Sequence, residues 1–149
     1  MVHATSPLLL LLLSLALVAP SLSARKCSLS GKWANDLGSN MTIEDVNENG
    51  EFYGTYDTAV ADYPQNIKES PLLGFRQNRA RKPTFGFTVR WKFSESTTVF
   101  VGQCFTDRSG KEVLKTTWLQ RFPIENTDDD WKATRASSNF YTRLRTEEE

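Results

Sequence analysis

A chain of 149 residues with 18 basic and 18 acidic side chains carries no formal net charge, which argues against a nucleic-acid or membrane partner held by bulk charge. One histidine and two cysteines leave no material for a Ser-His or Cys-His triad in the folded region, nor for a zinc site of the Cys/His type. The aromatic content, 11 % of the chain, describes an ordered domain with a substantial core.

Residues 1–23 read as a cleaved export signal. An apolar run over 8–18, interrupted only by Ser14, leads to Ser21-Leu22-Ser23, a small-x-small cleavage pattern before Ala24. The run is too short to span a bilayer and no second one follows, so the sequence predicts a secreted, soluble product with one domain over 24–149. The lone histidine, His3, leaves with the signal. In an oxidising compartment Cys27 and Cys104 pair by default, closing a loop of roughly 78 residues and stabilising by about 4.5 kcal/mol in the chain-entropy description.

Beyond the signal, short β-branched and aromatic stretches predict strands over 31–35, 40–46, 51–58, 72–76, 84–93, 97–106, 112–121 and 132–144. The clearest is 84–93, where Phe85, Phe87, Val89, Trp91 and Phe93 recur with period two and so share one face. Phe52, Gly54, Tyr56 and Thr58 alternate likewise over 51–58. Turn chemistry at 47–50, 93–96, 107–110 and 126–130 is short enough for hairpins, and no segment carries a helical period. Eight short-linked strands predict an all-β fold, an eight-stranded antiparallel up-and-down barrel with room inside for one small ligand; a two-sheet sandwich is the structural alternative. Residues 60–70, long, polar and ending at Pro71, read as a loop at one barrel mouth. Asn40-Met41-Thr42 is a glycosylation sequon, which in a secreted chain predicts a surface glycan on Asn40. Arg76, Arg79, Arg81 and Lys82 read as a solvated loop.

Polar residues at inward positions are the informative ones, because a barrel interior built for stability alone is filled with aliphatics. They are Asn35, Ser39, Tyr56, Thr58, Thr98 and Asn139, set among Trp91, Phe93, Phe100 and Trp118. An aromatic box with a few convergent hydrogen-bonding groups suits a compact heteroatom-bearing ligand, and it calls for no metal and no cofactor.

The blocks Gly31-Lys32-Trp33-x-Asn35-Asp36-Leu37-Gly38-Ser39, Gly54-Thr55-Tyr56-x-Thr58-Ala59-Val60, 83–100, 129–135 and Thr142-Arg143-Leu144-Arg145 are long and Trp-rich. Together they resemble the avidin family of egg-white biotin-binding proteins over essentially the whole chain. The resemblance implies a non-catalytic barrel holding one biotin per subunit of a homotetramer. By it, Asn35, Ser39 and Tyr56 hold the ureido oxygen, Thr58 and Asn139 accept the ureido N–H groups, and Thr98 lies by the sulfur. The rings of Trp91, Phe93, Phe100 and Trp118 enclose the bicycle, with Leu37 and Val60 also lining the site. Ser94 and Ser96 meet the valerate carboxylate beside a loop containing Asp62 and Tyr63, and Trp131 caps the site of a neighbouring subunit.

Three departures qualify what is implied. Where the family carries Thr-Ala-Thr after the valine, this chain has Ala61, Asp62 and Tyr63, so a hydroxyl contact is lost and Asp62 is expected to repel the carboxylate unless it points to solvent, with Tyr63 compensating by closing the loop. Gln120 replaces an apolar Leu near the ligand. Thr117, Ala136 and Ser138 replace Met, Val and Ile at one subunit contact, which predicts a weakened interface. Three functions fit: a secreted protein that sequesters biotin from microbes, a paralogue with weakened binding, and a general small-ligand carrier.

Overall fold

The structure is a computed structural model and describes residues 26–145; the predicted export signal at 1–23 lies outside the described residues. Eight strands follow in chain order: β1 (Gly31–Asn35), β2 (Asn40–Ile43), β3 (Glu51–Asp57), β4 (Ser70–Arg76), β5 (Thr84–Arg90), β6 (Thr97–Thr106), β7 (Glu112–Arg121) and β8 (Thr134–Arg143). Each pairs antiparallel with the next, and β8 returns to β1 with Asn35 opposite Tyr141, so the sheet closes as an up-and-down barrel. Closure leaves no free sheet edge and excludes the two-sheet sandwich.

The period-two pattern explains which faces point inward. Along β5, Phe85, Phe87 and Val89 are buried while Thr84, Thr88 and Arg90 are exposed. The strand ends at Arg90 rather than at 93 because the ladder to β6 closes with Arg90 opposite Thr97. Beyond it the turn is held by Ser70 Oγ, which accepts from Lys92 N–H at 3.1 Å, and by Ser94 Oγ, which accepts from Ser96 N–H at 3.1 Å. Strand β2 likewise stops at Ile43 instead of 46. An Asx turn follows it, with Asn47 Oδ1 accepting from the N–H groups of Asn49 and Glu51. Strand β4 starts two residues earlier than expected, at Ser70, because Ser70 is buried opposite Tyr56 and Pro71 sits opposite Thr55.

Two short 3-10 turns interrupt a series expected to contain no helical segment. One, Pro64–Asn66, lies in the long mouth loop. The other, Thr127–Lys132, replaces the predicted hairpin turn and delays β8 to Thr134; the Asn126 side chain caps it by accepting from Asp128 N–H at 3.1 Å.

The barrel is filled unevenly. At one end Leu29, Trp33, Met41, Ile43, Phe52, Phe85, Leu114 and the Cys27–Cys104 disulfide are buried together, with Trp33 Nε1 donating to Leu29 O at 2.8 Å. Along β1, β3 and β6 the inward residue becomes polar toward the other end: Trp33 gives way to Asn35, Phe52 to Tyr56 and then Thr58, and Cys104 to Thr98. That gradient places the site.

Candidate functional site

Where the apolar filling stops, the barrel opens into a cavity of about 680 Å3. Asn35, Leu37, Thr58, Val60, Trp91, Phe93, Thr98, Phe100, Trp118 and Asn139 line it, and Ala61, Asp62, Tyr63, Ser94, Glu95, Ser96, Gln120, Phe122, Pro123 and Arg135 complete it. Three residues expected at the site are not among the lining. Ser39 and Tyr56 are buried below it, tied to Asn35 and to Phe100. Trp131 stands on the Thr127–Lys132 turn, 81 % exposed and away from the cavity of its own barrel.

Each polar group here has its hydrogen-bonding sense set by its neighbours. Asn35 Oδ1 accepts from Leu37 N–H at 3.0 Å and Ser39 N–H at 2.8 Å, so its amide Nδ2 is the end left to donate. Ser39 Oγ accepts from Ala59 N–H at 2.9 Å, which leaves its hydroxyl to act as a donor. Thr58 differs: its hydroxyl donates to Val60 O at 3.0 Å and its oxygen accepts from Val60 N–H at 3.3 Å, leaving one lone pair and no free hydrogen. Asn139 Nδ2 donates to Asp36 Oδ1 at 3.0 Å and its Oδ1 accepts from Trp118 Nε1 at 2.8 Å, fixing Oδ1 as an acceptor. Thr98 Oγ1 accepts from Trp91 Nε1 at 2.8 Å and keeps its hydrogen. The arrangement offers donors on Asn35, Ser39 and Thr98 and acceptors on Thr58 and Asn139. It matches a neutral group that combines a carbonyl oxygen with flanking N–H groups.

The aromatic walls are locked by the same bonds. Tyr56 stacks on Phe100 with centroids 5.5 Å apart and meets Trp91 edge-on at 5.5 Å, while Trp91 packs on Phe93 at 5.6 Å. Two indole N–H groups held by Thr98 and Asn139 stop the rings from turning, so the box is formed before a ligand enters.

The mouth carries the charge. Asp62 does not stand free: its carboxylate meets Arg135 at 3.2 Å, and the Arg135 guanidinium also lies over the Phe122 ring at 4.4 Å. Tyr63 borders the opening and remains 68 % exposed, without covering it. Gln120 Nε2 donates to Ser96 Oγ at 3.0 Å, and Ser96 Oγ lies 2.8 Å from Ser94 Oγ, so Gln120 extends a chain of hydroxyls. Among the described residues the one group with potential metal-ligating atoms close together is Cys27, Cys104 and Glu112, and the disulfide occupies two of the three.

Sequence reasoning missed Arg135, Asp36 and Tyr141. Tyr141 is fully buried, and its hydroxyl lies 2.7 Å from that of Tyr56. Burial pushes both hydroxyls above the ordinary tyrosine range; the neighbouring Tyr56 raises Tyr141 further, while hydrogen bonds from Tyr141, Ser39 and Asn35 partly offset the rise at Tyr56. Both are neutral over the physiological range. The available signal was the period of β8, which puts Tyr141 on the same inward face as Asn139.

Residues 23–144 match the model of the avidin family. The chain is 74 % identical over 150 residues to avidin-related protein 7 of Gallus gallus, and 70 % identical over 152 residues to avidin of Gallus gallus, covering 100 % of both chains in each case. Among solved structures, a biotin binding protein from chicken is 52 % identical with a TM-score of 0.76, covering 80 % of this chain and 100 % of that one.

Proposed function

The chain belongs to the avidin family, and from that membership we propose that it is a secreted, non-catalytic protein that binds biotin and withholds it from microbes. The observation that carries this reading is the fixed sense of the polar groups. Asn35 Nδ2 and Ser39 Oγ are the donors for the ureido oxygen, with the Tyr56 hydroxyl beside them, and together they polarise it toward an oxyanion in the ground state. Thr58 Oγ1 and Asn139 Oδ1 are the acceptors for the two ureido N–H groups, and the free hydrogen of Thr98 faces the thioether sulfur. A carrier of generic apolar molecules has no use for groups committed in this way.

Five ureido hydrogen bonds contribute about 2.5–7.5 kcal/mol, and burying about 200 Å2 of apolar ligand surface contributes around 5 kcal/mol. The locked rings and hydroxyls lower the ordering cost that binding otherwise incurs. The tail end is weaker than the bicycle end, because Ala61 offers no hydroxyl and Asp62 already occupies Arg135. That asymmetry favours, as a second reading, a family member with softened affinity for the free acid. The exposed Trp131 completes a neighbour's site in a homotetramer, and Asn40, exposed at the start of β2, carries a glycan.

Titrating the oxidised protein with biotin while following tryptophan fluorescence tests the proposal. Saturation at one biotin per chain with a strong quench supports it, since Trp91 and Trp118 both face the cavity. A trace that stays flat up to millimolar biotin removes it.

A further inference from the structure

The donor count at the cavity floor depends on a hydroxyl that touches no ligand. We infer that Tyr141 is a positioning residue that commits the Tyr56 hydroxyl to donate into the cavity, which makes the floor select a carbonyl oxygen over an N–H group. The inference rests on the biotin reading above and deepens it.

The two hydroxyls, 2.7 Å apart, share one hydrogen bond, and its direction decides what Tyr56 shows the ligand. If Tyr56 donated downward, the Tyr141 hydrogen would be left in a fully buried region, and Tyr56 would meet an incoming carbonyl oxygen with a lone pair. If Tyr141 donates upward, its hydrogen is satisfied and the hydrogen of Tyr56 is free. The surroundings favour the second arrangement. Asn35 Nδ2 approaches the Tyr56 oxygen at 3.5 Å, so that oxygen is already placed to receive. The backbone fixes the geometry: Tyr141 on β8 lies directly opposite Asn35 on β1, and the two tyrosine rings meet edge-on with centroids 6.5 Å apart. A hydroxyl that accepts from a second hydroxyl is also the stronger donor, because the two bonds polarise each other.

Tyr141→Phe removes one oxygen and keeps the ring. Wild type and variant are each titrated with biotin and with 2-iminobiotin, which presents nitrogen-bound hydrogen where biotin presents the ureido oxygen. The expected result is a loss of about two- to tenfold in biotin affinity. Affinity for 2-iminobiotin holds or rises, because Tyr56 can then turn and accept, so the selectivity between the two ligands narrows. In a Tyr56→Phe background the Tyr141→Phe change has no further effect on biotin. An equal loss for both ligands, or no loss for either, overturns the positioning role while leaving the biotin reading intact. A wild-type protein that takes up neither ligand overturns both.

Discussion

At the scale of single residues, the site works by removing choices from side chains that have them. A serine, threonine or asparagine in water can present a donor or an acceptor; Asn35 and Ser39 present donors here because backbone N–H groups occupy their oxygens. Asp62 and Arg135 apply the same principle to charge. Among the described residues Arg135 is the one cationic side chain lining the cavity, and Asp62 holds it at 3.2 Å, so an arriving carboxylate finds the cation already paired. Asp62→Ala therefore releases Arg135 toward the ligand tail. Both partners are more than half exposed, so the effect is modest: about two- to fivefold tighter binding of free biotin, in the range of an exposed ion pair. Biotinamide, which has no charge at that position, should bind the variant and the wild type alike. Calorimetry with the two ligands decides the matter, and an equal gain for acid and amide would rule out the competition for Arg135.

At the scale of elements, the barrel was legible in the sequence because closing it needs little more than alternation and short turns. Phe85, Phe87 and Val89 announced their face by period alone, and the outcome is a closed eight-stranded sheet. What local pattern could not convey were the ends of strands, which are decided by partners distant in sequence. Ser70 joins β4 because Tyr56 lies opposite, and Trp91 falls outside β5 because the ladder to β6 closes with Arg90 opposite Thr97. The resemblance named most of the residues lining the cavity, but Tyr141 and the Asp62–Arg135 pair depend on side chains meeting across 85 and 73 positions of chain. The curvature of the sheet is a further element-level property with a definite residue behind it. Gly54 on β3 passes so close to β2 that a Cβ there would sit 1.9 Å from the carbonyl oxygen of Thr42, with backbone and no flexible side chain to give way. Gly54→Ala should force β2 and β3 apart and lower stability by about 1–3 kcal/mol or more. Gly86→Ala is the control, because the nearest atom to its added Cβ is 3.3 Å away. Thermal unfolding of the two variants should separate them clearly, and equal melting temperatures would show that the close approach on β2 does not constrain the barrel.

At the scale of the whole molecule, the outer wall decides how many barrels act together. The register stacks Val99, Leu119 and Ala136 in one row across β6, β7 and β8, and Val101, Thr117 and Ser138 in the next. All six are exposed, as is Phe140 beside them, so small and hydroxylated side chains interrupt an otherwise apolar face. An isolated barrel gains nothing from exposing such a face, whereas an assembly gains roughly 0.8 kcal/mol for each methylene it covers. In the homotetramer proposed above, Thr117, Ala136 and Ser138 would put assembly close to balance, where a ligand can tip it. If Trp131 closes the site of a neighbouring barrel, biotin binds the assembled form more tightly, and by linkage it must shift assembly to lower protein concentration. Sedimentation velocity at nanomolar protein should show smaller species without biotin and tetramers with it. The variant Thr117→Met, Ala136→Val, Ser138→Ile should remain tetrameric in both conditions, because aliphatic area is added to each row. Trp131→Ala should dissociate on dilution like the wild type, but without the shift on adding biotin, because the contact that links the site to the assembly is gone. A wild-type tetramer that persists at nanomolar concentration without ligand would refute the balance, and a shift that survives Trp131→Ala would assign the linkage to some other contact.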